Sequence, residues 1–151
     1  VRTDADLPVR VEFFIPGIPQ AKGSMTSPAP GVMIEAGSNI SRARKKTWRA
    51  RIEQALFVEA KKRYRKKRYP LAGPLIVDIV FRFPIPAYRR RKIDPDEPHL
   101  QKPDVDKLVR GVLDPLTATG IVKDDCVVHD VHAHKAWCVP GQEGAVLVLT
   151  W

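Results

Sequence analysis

A chain of 151 residues with 44% hydrophobic content fits one domain with a real core. It has no apolar run long enough to cross a bilayer and no signal-peptide pattern before its first strand-like segment, so it reads as a soluble, cytoplasmic protein. Cys126 and Cys138 are too few for a disulfide framework, and a formal charge of +9, from 26 Lys and Arg against 17 Asp and Glu, predicts a polyanionic partner, nucleic acid or a membrane surface, with no small-molecule substrate expected.

Arg10 to Ile15 has the β-branched and aromatic content of a first strand, closed by Pro16, Gly17 and Pro19. From Lys22 to about Asn39 the Gly, Ser and Pro content reads as a long loop. Ser41 is then a plausible N-cap for a helix whose Trp48, Ile52, Ala55, Leu56 and Ala60 fall at helical spacing. That helix is expected to run to about Tyr69, before Pro70 and Gly73. Leu75, Val77, Ile79, Phe81 and Phe83 alternate with more polar neighbours, which marks a strand buried more on one face. Pro84 to Pro103 forms a second long loop. Val105, Leu108, Val109, Val112, Leu113 and Leu116 then recur at helical spacing, with Pro115 expected to stop or kink the helix near its last turn. Short strands follow at about Ile121 to Lys123, Val127 to Trp137 and Ala145 to Trp151. This order predicts one α+β domain over residues 1–151, with a single mixed sheet and two main helices packed on it.

Acid is concentrated in two places, Asp104 with Asp106 and the adjacent pair Asp124 and Asp125. Pro103 disfavours helix at Lys102, so the chain should enter extended and turn helical near Asp104 or Asp106. The positive end of the helix dipole then stabilises both carboxylates in the ionised form that a metal ligand needs. A purely structural account makes Asp104 an N-cap and Asp106 a first-turn acid. From Val105 to Pro115 a helix climbs about 16 Å. A strand from Ile121 to Asp125 descends about 16 Å. The expectation is that Asp125 or Asp124 returns beside Asp104 and Asp106 in a three-carboxylate site. Oxygen ligands without Cys or His favour magnesium, with manganese as a substitute, an ion that takes substrate phosphate oxygens as further ligands and activates water for phosphodiester cleavage.

The basic residues crowd into Arg42 to Arg51 (Arg42, Arg44 and Lys45 among them), into Lys61 to Arg68, and into Arg89, Arg90, Arg91 and Lys92. In the second run Lys61, Lys62, Arg63, Arg65, Lys66 and Lys67 repel one another unless phosphates neutralise them, which favours nucleic acid over a solvated helix surface. Lys22 and Lys107 are further candidate phosphate contacts. None of these runs encodes base reading, which fits recognition of shape through the backbone. His132 and His134 share one strand face with His129 nearby, but without a third ligand of matched spacing a zinc site is the weaker reading.

The run Lys102, Pro103, Asp104, Val105, Asp106, Lys107, Leu108, Val109, Arg110, Gly111, Val112, Leu113, Asp114, Pro115, Leu116, Thr117, followed by Asp124, Asp125 and Lys135, resembles the signature of RusA-type Holliday junction resolvases, small endonucleases common in phages and prophages. Phe13 to Ser24 also resembles the family's N-terminal strand and loop. The resemblance implies a homodimer, in a bacterial or phage-infected cell, that binds four-way DNA junctions and makes paired, magnesium-dependent nicks. It implies metal-binding and catalytic roles for Asp104, Asp106 and Asp125, with Asp124 alongside, and points to Asp114 and Lys135 as recurrent positions. Lys107 stands where many members have asparagine, and Arg110 where the best-known members have a catalytically important lysine. Arg110 keeps the charge, yet a guanidinium is no proton donor near neutral pH. Its structural alternative is an ion pair with Asp106 or Asp114. Two-fold symmetry suits a dimer, because identical sites then meet equivalent strands of the junction. Two other functions fit the same features, a non-catalytic branched-DNA-binding protein and a metal nuclease for another branched or flap substrate.

Overall fold

Strands whose side chains alternate between full burial and partial exposure build the centre of the fold. Val11, Phe13 and Ile15 on β1 (Arg10–Pro16) and Leu75, Val77, Ile79, Phe81 and Phe83 on β4 (Leu75–Pro84) point to one face of a four-stranded sheet. β5 (Val128–Cys138) and β6 (Gly144–Thr150) complete that sheet in the order β1-β6-β4-β5. β6 is antiparallel to both β1 and β4, whereas β4 and β5 are parallel, so the sheet is mixed. The computed structural model describes residues 9–23, 25–35, 39–61 and 69–151.

Two helices cover the apolar face. α1 (Asn39–Ala60) buries Trp48, Ile52 and Leu56, and α2 (Val105–Ala118) buries Leu108, Val112 and Leu116, four-residue spacings that keep one stripe toward the sheet. Both stripes join β1, β4 and β6 side chains in one core. Glu59 on α1 is also buried, and its carboxylate accepts from the Tyr69 hydroxyl at 3.1 Å. The expected α+β class, mixed sheet and two packed helices are all present.

Four local expectations change. The loop from Lys22 to Asn39 contains a separate antiparallel hairpin, β2 (Met25–Ala29) and β3 (Val32–Glu35), which a Pro- and Gly-rich stretch concealed. Helix α1 starts at Asn39, so Ser41 lies inside it rather than capping it. Its expected continuation to Tyr69 falls on residues 62–68, outside the described residues. Pro115 sits within α2, whose last turn runs on to Ala118 before Thr119 and Gly120, the latter at φ 77, end it. Finally, residues 121–123 form no strand; Val122 makes a single parallel bridge to Leu71, and a 3-10 turn at Asp125–Val127 leads into β5.

Candidate functional site

β1, β4 and β5 all run in the same direction, so their C-terminal ends meet at one end of the sheet. The loops leaving those strands and the start of α2 therefore gather there, as binding sites on sheets with parallel strands commonly do. Residues 17–23 cross over α2, where the Lys22 amide donates to the Lys107 carbonyl at 3.1 Å and the Lys22 ammonium pairs with Asp114. The chain from Glu97 to Pro103 runs along β5, and the Lys135 ammonium donates to the carbonyls of Gln101 (2.5 Å) and Pro103 (2.8 Å). Lys135 is thus fixed immediately before Asp104.

Asp104 adopts extended geometry at the N-cap position, but its side chain caps no amide of the helix. The structural account of this residue fails on that point. Its carboxylate is half exposed and lies 3.7 Å from the Lys107 ammonium. Asp106 occupies the exposed first turn and, among the described residues, makes no hydrogen bond or ion pair. Two carboxylates at the positive end of a helix dipole, neither committed to capping, form an oxygen-donor pair suited to a hard divalent cation.

An open groove of ≈ 480 Å³ borders Asp104, lined by Lys22, Lys45, Lys102, Asp104 and Lys107 together with the 18–23 loop. Four ammonium groups around one accessible carboxylate make it attractive to phosphate. A smaller adjoining cavity of ≈ 260 Å³ lies between that loop, Trp48 and Arg49 of α1, and Gly111 and Asp114 of α2. Arg44 and Lys45 stand on the α1 turns facing this end. Arg42 bonds to Asn39 at the start of α1. Arg89 closes a 3-10 turn, and Arg90, Arg91 and Lys92 follow it on the same end of the sheet, exposed to solvent. Lys61 is placed differently, at the far end of α1. Lys62, Arg63, Arg65, Lys66 and Lys67 lie outside the described residues.

The expectation that Asp125 returns beside Asp104 and Asp106 is not met within one chain. Its Oδ1 accepts from Thr117 Oγ1 at 2.6 Å, in the last turn of α2. Thr117 stands about 16 Å along the helix axis from Asp106. The reason is local: without a strand at 121–123, the chain stays at the end of α2, where the Val122 amide donates to the Leu116 carbonyl at 3.1 Å. Asp124 accepts from the Cys126 amide at 3.0 Å, a bond that holds its carboxyl below the usual range and caps the 3-10 turn. It therefore orients Asp125. Among the described residues no three His, Cys, Asp or Glu side chains gather closely enough to hold a metal ion, and this includes His129, His132 and His134. His132 instead pairs with Asp130 at 3.1 Å. Arg110 is exposed one turn beyond Asp106 and, among the described residues, pairs with neither Asp106 nor Asp114.

Sequence reasoning missed two residues. Lys102 joins the groove, which its place beside Pro103 could have suggested. His99 is buried with its ring 4.2 Å from that of Phe83 and 4.3 Å from that of Trp137, and its amide donates to the Lys135 carbonyl at 3.1 Å. It supports Lys135 from behind, a role that no periodicity in a loop announces.

A sequence profile described as Endodeoxyribonuclease RusA matches residues 24–145. No curated protein matches the chain.

Proposed function

The chain belongs to the RusA family of endodeoxyribonucleases, which act on Holliday junctions, and we propose that it resolves four-way DNA junctions by paired, divalent-metal-dependent phosphodiester nicks as a homodimer. The observation that carries this reading is the start of α2, where Asp104, which caps no amide, and Asp106 stand at a helix N-terminus, Asp104 lining a groove rich in lysines. Asp104 and Asp106 supply two oxygen ligands, and magnesium or manganese bound there would polarise a water and offset charge on the attacked phosphate. The lysine-lined groove draws the DNA backbone in, and Lys135, held by the Gln101 and Pro103 carbonyls, places a fixed positive charge at the metal end of that groove. Arg110 adds a charge that stays on at any working pH and stabilises the phosphate electrostatically.

The third carboxylate comes from a second copy. Thr117 and Asp124 hold Asp125 ready at the far end of α2, too distant for its own Asp106, so we assign it to the site of the two-fold partner. A pair of composite sites explains why a dimer, and not a monomer, makes paired cuts. A non-catalytic junction-binding protein is the reading that remains if no second copy completes the site.

A synthetic four-way junction tests both. Nicking is expected with magnesium, is absent with a chelator, and is abolished by Asp106→Asn and by Asp125→Asn alone. Mixing the two inactive variants should restore single nicks, because a heterodimer then holds one site with both carboxylates intact. Two sites each built within one chain would give no restoration, and metal-independent binding without any cutting would support the non-catalytic reading.

A further inference from the structure

Tyr88 leaves 83% of its surface exposed, whereas the next most exposed aromatic ring among the described residues, Phe14, leaves 51%. It stands in the middle of the 3-10 turn Ala87–Arg89 and, among the described residues, makes no ring contact or side-chain hydrogen bond. The turn that displays it is fastened at both ends. Ile85 and Ile93 are buried on either side, and the Ile85 amide donates to the Cys138 carbonyl at 3.0 Å. The Arg89 amide donates to the Pro86 carbonyl at 2.9 Å and the Ile93 amide to the Arg89 carbonyl at 3.2 Å. A single exposed apolar side chain is ordinary on a protein surface. Its setting is not, because Arg89, Arg90, Arg91 and Lys92 follow without a break. Asp94, Asp96 and Glu97 lie in the same loop, yet among the described residues none of the four cations pairs with them.

A ring held out to solvent beside unpaired cations can bind a nucleobase through its face and the adjoining phosphates through charge. We propose that Tyr88 stacks on a base left without a neighbour at the branch point of a four-way junction, while Arg89 to Lys92 take the phosphates around it. The inference rests on the junction reading above and adds the contact that tells branched DNA from duplex. In an unbroken duplex every base is stacked on both faces, so a ring reaches one only by unstacking a base step. At a branch point the stack is already interrupted. Phosphate contacts alone cannot make that distinction, since both DNAs offer the same backbone.

The turn also lies at a workable distance from the carboxylates. β4 ends opposite Cys138, and Lys135, whose ammonium holds the Pro103 carbonyl, lies about 10 Å back along β5. A strand that meets Asp104 therefore reaches the turn within a few nucleotides, each rising about 3.4 Å. Stacking is indifferent to base identity, which suits a contact chosen by shape.

Binding to a four-way junction and to a linear duplex of the same arm sequence, both in chelator so that neither is cut, tests the stack. Tyr88→Ala should weaken junction binding by roughly 5- to 100-fold and leave duplex binding and the circular dichroism spectrum unchanged. Tyr88→Phe keeps the ring and should bind as the parent does. Near-ultraviolet irradiation with 5-iododeoxyuridine at the branch point should attach DNA to the tryptic peptide of residues 83–89, and the same base in the middle of an arm should not. Equal weakening on junction and duplex, no weakening on either, a Tyr88→Phe form as weak as Tyr88→Ala, or an adduct on another peptide would each overturn the stack. If the parent prefers junctions and nicks them with magnesium while Tyr88→Ala binds as the parent does, the junction reading stands and the stack falls. If the parent binds junction and duplex alike, the junction reading falls and takes the stack with it.

Discussion

His99 sits between the rings of Phe83 and Trp137 with its Nδ1 buried and, among the described residues, without a hydrogen-bond partner. Burial, and then the charge of Lys135, hold its imidazole below the ordinary value of 6.5. An unfolded chain takes up a proton at that ordinary value while the folded one resists it. Stability from this residue is therefore complete above pH 6.5 and is lost as pH falls below it. His99→Phe keeps a flat ring in the stack and removes the titration. Urea midpoints compared between roughly pH 7.5 and pH 5.5 should fall less in His99→Phe than in the parent. An equal fall in both would show that His99 does not resist protonation. Asp124 is the counterpart at the other end of α2, a carboxylate kept ionised by the Cys126 amide so that it fixes the turn bearing Asp125.

At the scale of elements, α2 does two jobs at once. Its Leu108, Val112 and Leu116 stripe packs on the sheet, while its two ends present Asp106 and Thr117 about 16 Å apart. β6 is the strand that lets β1 and β4 run in the same direction, and Gly144 is where it meets both, opposite Pro16 and Arg82. Gly144 adopts φ 156, and a Cβ added there would stand 2.3 Å from the Ile15 carbonyl oxygen. Gly144→Ala must push β1 away at the end that bears the 17–23 loop. We expect a loss of about 2 kcal/mol, from the strained backbone and the parted strands, read as a lowered denaturation midpoint. A neutral result would mean that β1 is free to shift there.

For the molecule as a whole, the directions of β1, β4 and β5 place the lysine-lined groove, the Arg89 to Lys92 turn and the two helix-start carboxylates at one end of the sheet. The match to a family of endodeoxyribonucleases, together with a charge of +9, makes nucleic acid the polyanionic partner to test. Binding through phosphates releases counterions. Affinity for a four-way junction should therefore fall by about 10³-fold between roughly 50 and 200 mM salt, and replacing Lys102 or Lys107 with Gln should lower the slope by about one each. A flat salt response would separate the groove from DNA binding.

Much of this was legible in one dimension because it depends on periods. The alternation of Leu75 to Phe83 and the four-residue stripe of α2 follow from the geometry of strand and helix, so the class of fold, a start of α2 near Asp104 or Asp106 and the acid at that start could be read directly. The hairpin at Met25–Ala29 and Val32–Glu35 was hidden because a short two-stranded sheet rich in turn residues leaves no period to read. The path of Asp125 was misjudged for a related reason. Its position depends on whether residues 121–123 pair as a strand or stop at a single bridge to Leu71, a contact between segments far apart in the chain. The sequence by itself determined which carboxylates and which charges this protein has, and the period of each element that carries them. Only the tertiary structure decided that one rigid helix holds the two aspartate clusters apart, because spacing along a chain fixes the length of an element and not the direction in which the chain leaves it.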